Sequence, residues 1–298
     1  MNISKVNNQQ NTAINKNKKK SRNVGASIGA SFLGSVVQTA SVPLSLAVLN
    51  TMKKIGSLPQ DKIEIMHNAA EKALIDTGLS NKGAKIQYLE RNKQDFKLPK
   101  YLRILNPIEQ IKYGKNAAFV NKDLKNFITK KVIFPKNTIL MPKRDISFAA
   151  FHEIGHALNY NFSKFGKILQ HMRNPLMGLA GAIALYGAFT QNRKTEDGKE
   201  LTKGQKFKNF VRNNAGKLSI AAMLPILWEE GMATCKGQKL ANKLLSKDMA
   251  KIVSKGNKVA YLSYIIYTLG IGAASYATVK IKDYLVAKKA KKADNKVV

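Results

Sequence analysis

The sequence is poor in cysteine and in acidic residues, and these shortages exclude several classes of protein. A single cysteine among 298 residues excludes an intramolecular disulfide framework. The chain also has no internal repeat and no glycine loop of the kind that cradles phosphate. Only 18 acidic residues oppose 51 basic ones, which gives a formal net charge of +33. This large positive charge raises the question of which negatively charged partner the protein binds.

The type of basic residue argues against nucleic acid as that partner. Only seven of the 51 basic residues are arginine, and the lysines are spread through every charged segment. Nucleic-acid readers concentrate arginine beside aromatic stacking surfaces. We therefore expect no nucleic-acid partner. Instead, we expect the basic tails, residues 1–22 and 280–298, to contact an anionic membrane surface.

Histidine is scarce as well, and two of the four histidines form a motif. His152 and His156 stand four residues apart on either side of Glu153, in the segment HEIGH. On a helix, residues four apart lie on one face, so both imidazoles can bind one zinc ion. Glu153 then lies beside the metal, where it can accept a proton from a water molecule. This spacing is typical of zinc-dependent peptidases.

The residues around the motif favour a helix preceded by a strand. Phe148, Phe151 and Ile154 recur at helical spacing, and Asp145 has the position of an N-cap. Residues 137–141, NTILM, are of the type enriched in strands.

One protein ligand remains to be found, because a catalytic zinc site has three protein ligands and an open position. The candidates include His67, His171, Cys235 and the remaining glutamates. Glu229 and Glu230 are favoured, since two adjacent carboxylates beside an apolar run need a cationic partner. The alternative is a solvated helix start, where acidic side chains interact with the helix dipole.

Together the two motifs resemble those of the membrane-embedded zinc peptidases of the HtpX and CAAX prenyl endopeptidase type, which are gluzincins. The second motif of that group commonly reads Glu-x-x-Ala-Asp, with a glycine three residues further on. Glu230, Ala233 and Gly237 match it, whereas Thr234 replaces the aspartate. The resemblance covers the two motifs and the apolar segments between them.

The resemblance implies a mainly α, α+β fold, with a zincin-like catalytic core, a small antiparallel sheet and apolar transmembrane helices. Four residues form the implied site: the zinc ligands His152, His156 and Glu230, and the catalytic base Glu153. Glu229 is the alternative ligand, one residue away. By the same resemblance, residues 137–141 form an edge strand that binds an extended peptide beside the active site.

The threonine at position 234 motivates an alternative function. In the resembled group the aspartate would hydrogen-bond a ligating histidine and raise its basicity. Thr234 can accept a hydrogen bond but carries no charge, so metal affinity or rate would be reduced. The alternative is a non-catalytic membrane protein that retains a degenerate zinc site.

Uncharged runs occupy residues 23–52, 174–192, 218–228 and 259–279. About 20 helical residues cross a hydrocarbon core of roughly 30 Å, so the last run is the best spanning candidate. The middle two predict a helical hairpin that returns Glu230 to the same side as His152, with core helices of a soluble protein as the alternative. The first is predicted as a retained anchor, with a secretory signal as the alternative.

These predictions define a multi-pass protein of the plasma or inner membrane. We expect it to be a zinc metalloendopeptidase that hydrolyses peptide or protein substrates and contacts membrane lipid. Its predicted segments are a basic tail (1–22), an apolar anchor helix (23–52), a zincin-like domain (53–173), a helical hairpin (174–228), a third-ligand helix (229–258), a transmembrane helix (259–279) and a second basic tail (280–298).

Overall fold

The computed structural model describes residues 27–28, 30, 41–90, 106–126, 129–192 and 200–294. Helices account for 73% of the described residues, and a small mixed sheet accompanies them. The mainly α prediction is therefore confirmed. The predicted tail 1–22 lies outside the described residues, and the predicted segments 23–52 and 280–298 are described only in part.

The described helices and strands alternate at first, and the second half of the chain is helical. The helices are α1 (Ser41–Gly56), α2 (Gln60–Asp76), α3 (Pro107–Lys112), α4 (Ala149–Phe162), α5 (Lys164–Phe189), α6 (Lys203–Asn213), α7 (Ala215–Leu244) and α8 (Lys247–Asp294). The strands are β1 (Lys85–Leu89), β2 (Ala118–Val120), β3 (Leu124–Lys125), β4 (Val132–Phe134) and β5 (Thr138–Pro142). A 3-10 turn, Ser80–Lys82, precedes β1.

The main sheet has the strand order β1-β5-β2 and corrects two predictions. β1 pairs parallel to β5, and β2 pairs antiparallel to it, so the sheet is mixed rather than antiparallel. The strand predicted at residues 137–141 corresponds to β5, which lies in the centre rather than at the edge. All five residues of β5 are buried, as expected for a strand with neighbours on both sides. The edge facing away from β1 belongs to β2.

The motif helix α4 is held by a continuous apolar core. Met66 and Leu74 of α2 share one buried cluster with Phe148, Phe151 and Ile154. The apolar stripe predicted from sequence therefore faces the core. α4 begins at Ala149 without a side-chain cap, so the N-cap predicted for residue 145 is wrong.

Two glycines bring α4 and α7 into backbone contact. A Cβ atom on Gly155 would overlap the carbonyl oxygen of Ala233, and one on Gly237 would overlap that of Phe151. The absence of side chains at these two points lets the helices approach closely. This contact sets the register of α7, and hence of Glu230, against the histidines of α4.

We expect Gly155→Ala to lower the free energy of unfolding by about 1–3 kcal/mol, because overpacking outweighs the gain in helix propensity. The matched control is Gly231→Ala in α7, where the new Cβ atom would lie 3.5 Å from the Tyr261 hydroxyl. Thermal unfolding followed by circular dichroism in detergent measures both changes. Equal melting temperatures for the two variants would contradict the close approach.

The chain divides into two compact units. The site unit contains Pro43–Arg173 and Pro225–Ile266, with the sheet and the motif helix. The helical unit contains Met1–Val42, Asn174–Leu224 and Tyr267–Val298. Within the helical unit, α5, α7 and α8 share a buried polar contact: the Ser219 hydroxyl lies 3.1 Å from that of Ser275 and donates to the Ala180 carbonyl.

Within the described part of the chain, one helix is long and apolar enough to cross a membrane, Lys247–Lys289 of α8. It contains the uncharged run 259–279. The run 218–228 lies in α7, and most of the run 174–192 lies in α5; both helices have the length of a membrane span but not its composition. One such helix can also be a core helix, so the structure supports a single candidate span.

Candidate metal site

Three buried side chains converge between α4 and α7. The Nε2 atoms of His152 and His156 are 3.0 Å apart, and Glu230 Oε2 lies 3.1 Å from the first and 3.4 Å from the second. Four-residue spacing places both imidazoles on one face of α4. The contact at Gly155 and Gly237 brings the glutamate opposite them. Together the three side chains form a buried group that could hold a metal ion.

The separations fit a tetrahedral centre. Ligands at about 2.0 Å from a tetrahedral zinc ion are separated by roughly 3.3 Å. The three observed separations lie within a few tenths of an ångström of this value. Two imidazoles and a carboxylate are also a ligand set that zinc accepts. The residues present therefore fit a zinc ion, with a fourth position left for a substrate or water.

The outer nitrogens of both histidines have partners that orient the inner ones. His156 Nδ1 lies 2.9 Å from Glu229 Oε1, and His152 Nδ1 lies 3.2 Å from the hydroxyl oxygen of Thr234. When each Nδ1–H donates to its partner, each Nε2 keeps a lone pair toward the shared centre. The partner of the outer nitrogen of His152 is thus a neutral hydroxyl, whereas that of His156 is a carboxylate.

Glu229 and Glu230 have different partners although they are adjacent. The side chain of Glu229 contacts the outer nitrogen of His156 and accepts hydrogen bonds from Asn159 (3.0 Å) and Gln170 (2.9 Å). It therefore lies behind the histidine rather than at the centre. Both carboxylates are almost fully buried, so neither is the solvated helix start considered above.

Positive charge compensates the two buried carboxylates. Arg173 of α5 donates to Glu229 Oε2 at 3.2 Å and to Glu230 Oε1, the oxygen of Glu230 that does not face the histidines. Burial opposes ionisation of Glu230, but the charges of His156 and Arg173 and a hydrogen bond from His152 hold its pKa well below the usual range. Burial likewise opposes protonation of His156, yet Glu230 and Glu229 outweigh it and raise the pKa of His156 well above its usual value. The two carboxylates therefore stabilise positive charge at His156.

Glu153 lines a polar cavity of about 200 Å³ beside this group. The edge strand β2 and its flanking residues form one wall, and Tyr264 of α8 lies on another. The cavity is lined by Asn116, Ala117, Ala118, Phe119, Asn121, Glu153, His156, Gln170, Arg173, Glu229 and Tyr264. The predicted catalytic base thus shares a cavity with a histidine of the metal group and with residues of β2, the outer strand of the described sheet.

The other ligand candidates lie elsewhere. His67 packs against Tyr88, with ring centroids 4.2 Å apart and the rings tilted by 35°, and the Nδ1 atom of the exposed His171 lies 2.7 Å from the Lys167 carbonyl oxygen. Cys235 is exposed. Sequence reasoning missed the residues that support the group: Asn159, Gln170, Arg173 and Tyr264. Only Arg173 had a visible signal, as the last charge before the uncharged run 174–192.

We expect Thr234→Val to lower zinc affinity about 10- to 100-fold, because the hydrogen bond that orients His152 is lost while the shape is kept. Thr234→Asp should raise the affinity, since a carboxylate increases the basicity of the ring. Competition with a chromophoric chelator measures both. Cys235→Ser, one residue on and exposed, is the control. An unchanged zinc affinity of Thr234→Val would show that Thr234 does not contribute to the site.

No family model matches the sequence, and no curated protein or solved structure matches it either. What the structure establishes is a buried His152, His156 and Glu230 group that could hold a metal ion.

Proposed function

We propose that the protein is a membrane-associated zinc endopeptidase. The observation that carries the proposal is the position of Glu153, which lines the cavity beside a buried two-histidine, one-glutamate group. A carboxylate next to such a group is the arrangement that peptide hydrolysis requires. The motifs and the glutamate ligand support membership of the gluzincins.

The residues divide the chemistry between them. His152, His156 and Glu230 hold zinc, which when bound supplies a Lewis acid that polarises the scissile carbonyl and acidifies a water molecule. Glu153 accepts a proton from the attacking water as the new C–O bond forms. It then returns the proton to the amine nitrogen as the C–N bond breaks. Arg173 holds Oε1 of Glu230, so that Oε2 faces the histidines.

The edge strand β2 supports an extended peptide as substrate. Its residues Ala118 and Phe119 line the cavity that contains Glu153, and one of its edges is unpaired within the described sheet. A peptide adding to that edge would be held through its main chain, without strict sequence choice. This strand takes the role that the sequence predicted for residues 137–141.

Membrane association rests on α8, the candidate span. We propose that the apolar segments of α5 and α7 also cross the membrane, as a helical hairpin. The protein would then be a multi-pass protein of the plasma or inner membrane. The second candidate function, a non-catalytic protein with a degenerate zinc site, is motivated by Thr234, whose hydroxyl replaces a carboxylate at His152.

Removal and return of the metal tests the function. We expect the chain, reconstituted in lipid, to cleave unfolded protein reporters, to lose the activity on chelation and to regain it with one equivalent of zinc. Zinc bound at one per chain without any metal-dependent cleavage would favour the degenerate site. Cleavage that persists after complete metal removal would contradict the proposal.

A further inference from the structure

The short helix α6 carries two large aromatic side chains that are more than half exposed. Phe207 and Phe210 are 66% and 52% exposed, and three residues apart they lie on one face. A capping box between Thr202 and Gln205 fixes the start of the helix. Large aromatic side chains on one side of a well-capped helix indicate a surface that contacts something apolar.

The charges of α6 are of one sign. Lys203, Lys206 and Lys208 are exposed beside the two phenylalanines, and no acidic residue occurs between Lys203 and Asn213. Lys206 forms one exposed ion pair, with Glu200 just before the helix. A helix with lysines flanking an aromatic face is typical of segments that lie in the interface of an anionic bilayer.

The anchoring of α6 places it where two uncharged helical stretches end. The buried Arg212 binds Asp283 through both terminal nitrogens and donates from Nε to the Thr190 carbonyl. Thr190 lies near the end of the run 174–192. Asp283 lies four residues, or about 6 Å, beyond the last residue of the run 259–279. α6 therefore lies at the level where these helices change from apolar to charged.

Further aromatic and basic residues occur at the same level. Tyr284, beside Asp283, is 63% exposed, and the Lys288 ammonium lies 5.8 Å from its ring centroid. Lys282 donates to the same Thr190 carbonyl that Arg212 binds. Tyrosine, lysine and arginine concentrate at the boundary between lipid and water.

We propose that α6 lies in the interface of an anionic membrane, with Phe207 and Phe210 inserted among the acyl chains and its lysines at the headgroups. The proposal rests on the membrane association proposed above but not on the zinc site. It identifies α6 as the part of the helical unit that lies at the bilayer surface. It also names anionic lipid as the partner.

Fluorescent labels on the full-length chain test this proposal. In a Cys235→Ser background, Phe207→Cys and Phe210→Cys would each carry an environment-sensitive dye in vesicles of phosphatidylcholine mixed with phosphatidylglycerol. The control is Ile75→Cys on α2, since Ile75 is 69% exposed but lies beside the acidic Asp76. We expect blue-shifted emission and several-fold stronger quenching by brominated lipid at the two α6 sites than at residue 75.

Four outcomes would overturn the proposal, and they have different meanings. If the protein floats with vesicles but the dyes at the two α6 sites emit as in water, α6 does not lie in the interface. Membrane association itself would still hold. A blue shift without quenching by brominated lipid would indicate contact with protein instead. Failure of the chain to float with vesicles would overturn both membrane proposals and leave zinc binding untouched. Replacing the three lysines with glutamine should weaken the quenching, and an unchanged signal would exclude anionic lipid as the partner.

Discussion

Glu153→Gln should retain zinc at the wild-type level and hydrolyse peptides about 10²- to 10⁴-fold more slowly, the loss typical of removing a general base. The amide has nearly the same shape as the carboxylate but cannot accept the proton of the attacking water. Glu153 lies outside the group that could hold a metal ion, so zinc content should not change. Metal analysis and single-turnover cleavage by the same preparation measure both quantities.

The matched control for this variant is Glu64→Gln, which neutralises an exposed glutamate on α2 of the same unit. It should retain both zinc and activity. Wild-type cleavage rates in Glu153→Gln would place the hydrolysis elsewhere or in a contaminant. Loss of zinc in that variant would instead make Glu153 part of the metal-holding set.

His156→Ala should reduce the zinc content from about one ion per chain to nearly none and abolish cleavage, because one of three protein ligands is removed. The substitution also takes away the imidazole that contacts Glu229 and Glu230. Two buried carboxylates then face each other with Arg173 as their compensating charge, so some loss of stability should accompany the loss of metal. Elemental analysis of the purified protein, before and after reloading with zinc, measures the effect.

His171→Ala is the control for that experiment, since this histidine is exposed and its partners, the Lys167 carbonyl and the Tyr160 ring, lie outside the metal group. A parallel pair distinguishes the two glutamates. Glu230→Gln should lose zinc as His156→Ala does, whereas Glu229→Gln should retain it with lower affinity, because its carboxylate supports the histidine from behind. The reverse order would make Glu229 the ligand.

The local part of this arrangement could be predicted from sequence. The periodicity of Phe148, Phe151 and Ile154 indicates a helix with one buried face, and the four-residue spacing of His152 and His156 follows from helix geometry. The strand-type residues before the helix do form β5. These features depend on residues that are close in sequence, and over such short distances the residue pattern determines the local structure.

What the sequence could not predict depends on contacts between distant segments. The role of Glu229 is decided by Asn159 and Gln170, which belong to other helices and follow no spacing rule with it. Arg173 is 57 residues from Glu230, so no local pattern pairs them. The central position of β5 depends on its pairing with β1, more than 50 residues earlier.

The backbone contact between α4 and α7 means that the site can be recognised from two short sequence motifs. The proposed chemistry needs His152, Glu153 and His156 on one helix, and Glu229 and Glu230 on the other. The geometry of the site needs Gly155 on the first helix, and Ala233 and Gly237 on the second. The combined pattern is His-Glu-x-Gly-His followed at any distance by Glu-Glu-x-x-Ala-x-x-x-Gly. Genome searches with these two short motifs could therefore find distant homologues whose remaining sequences have diverged too far to be aligned.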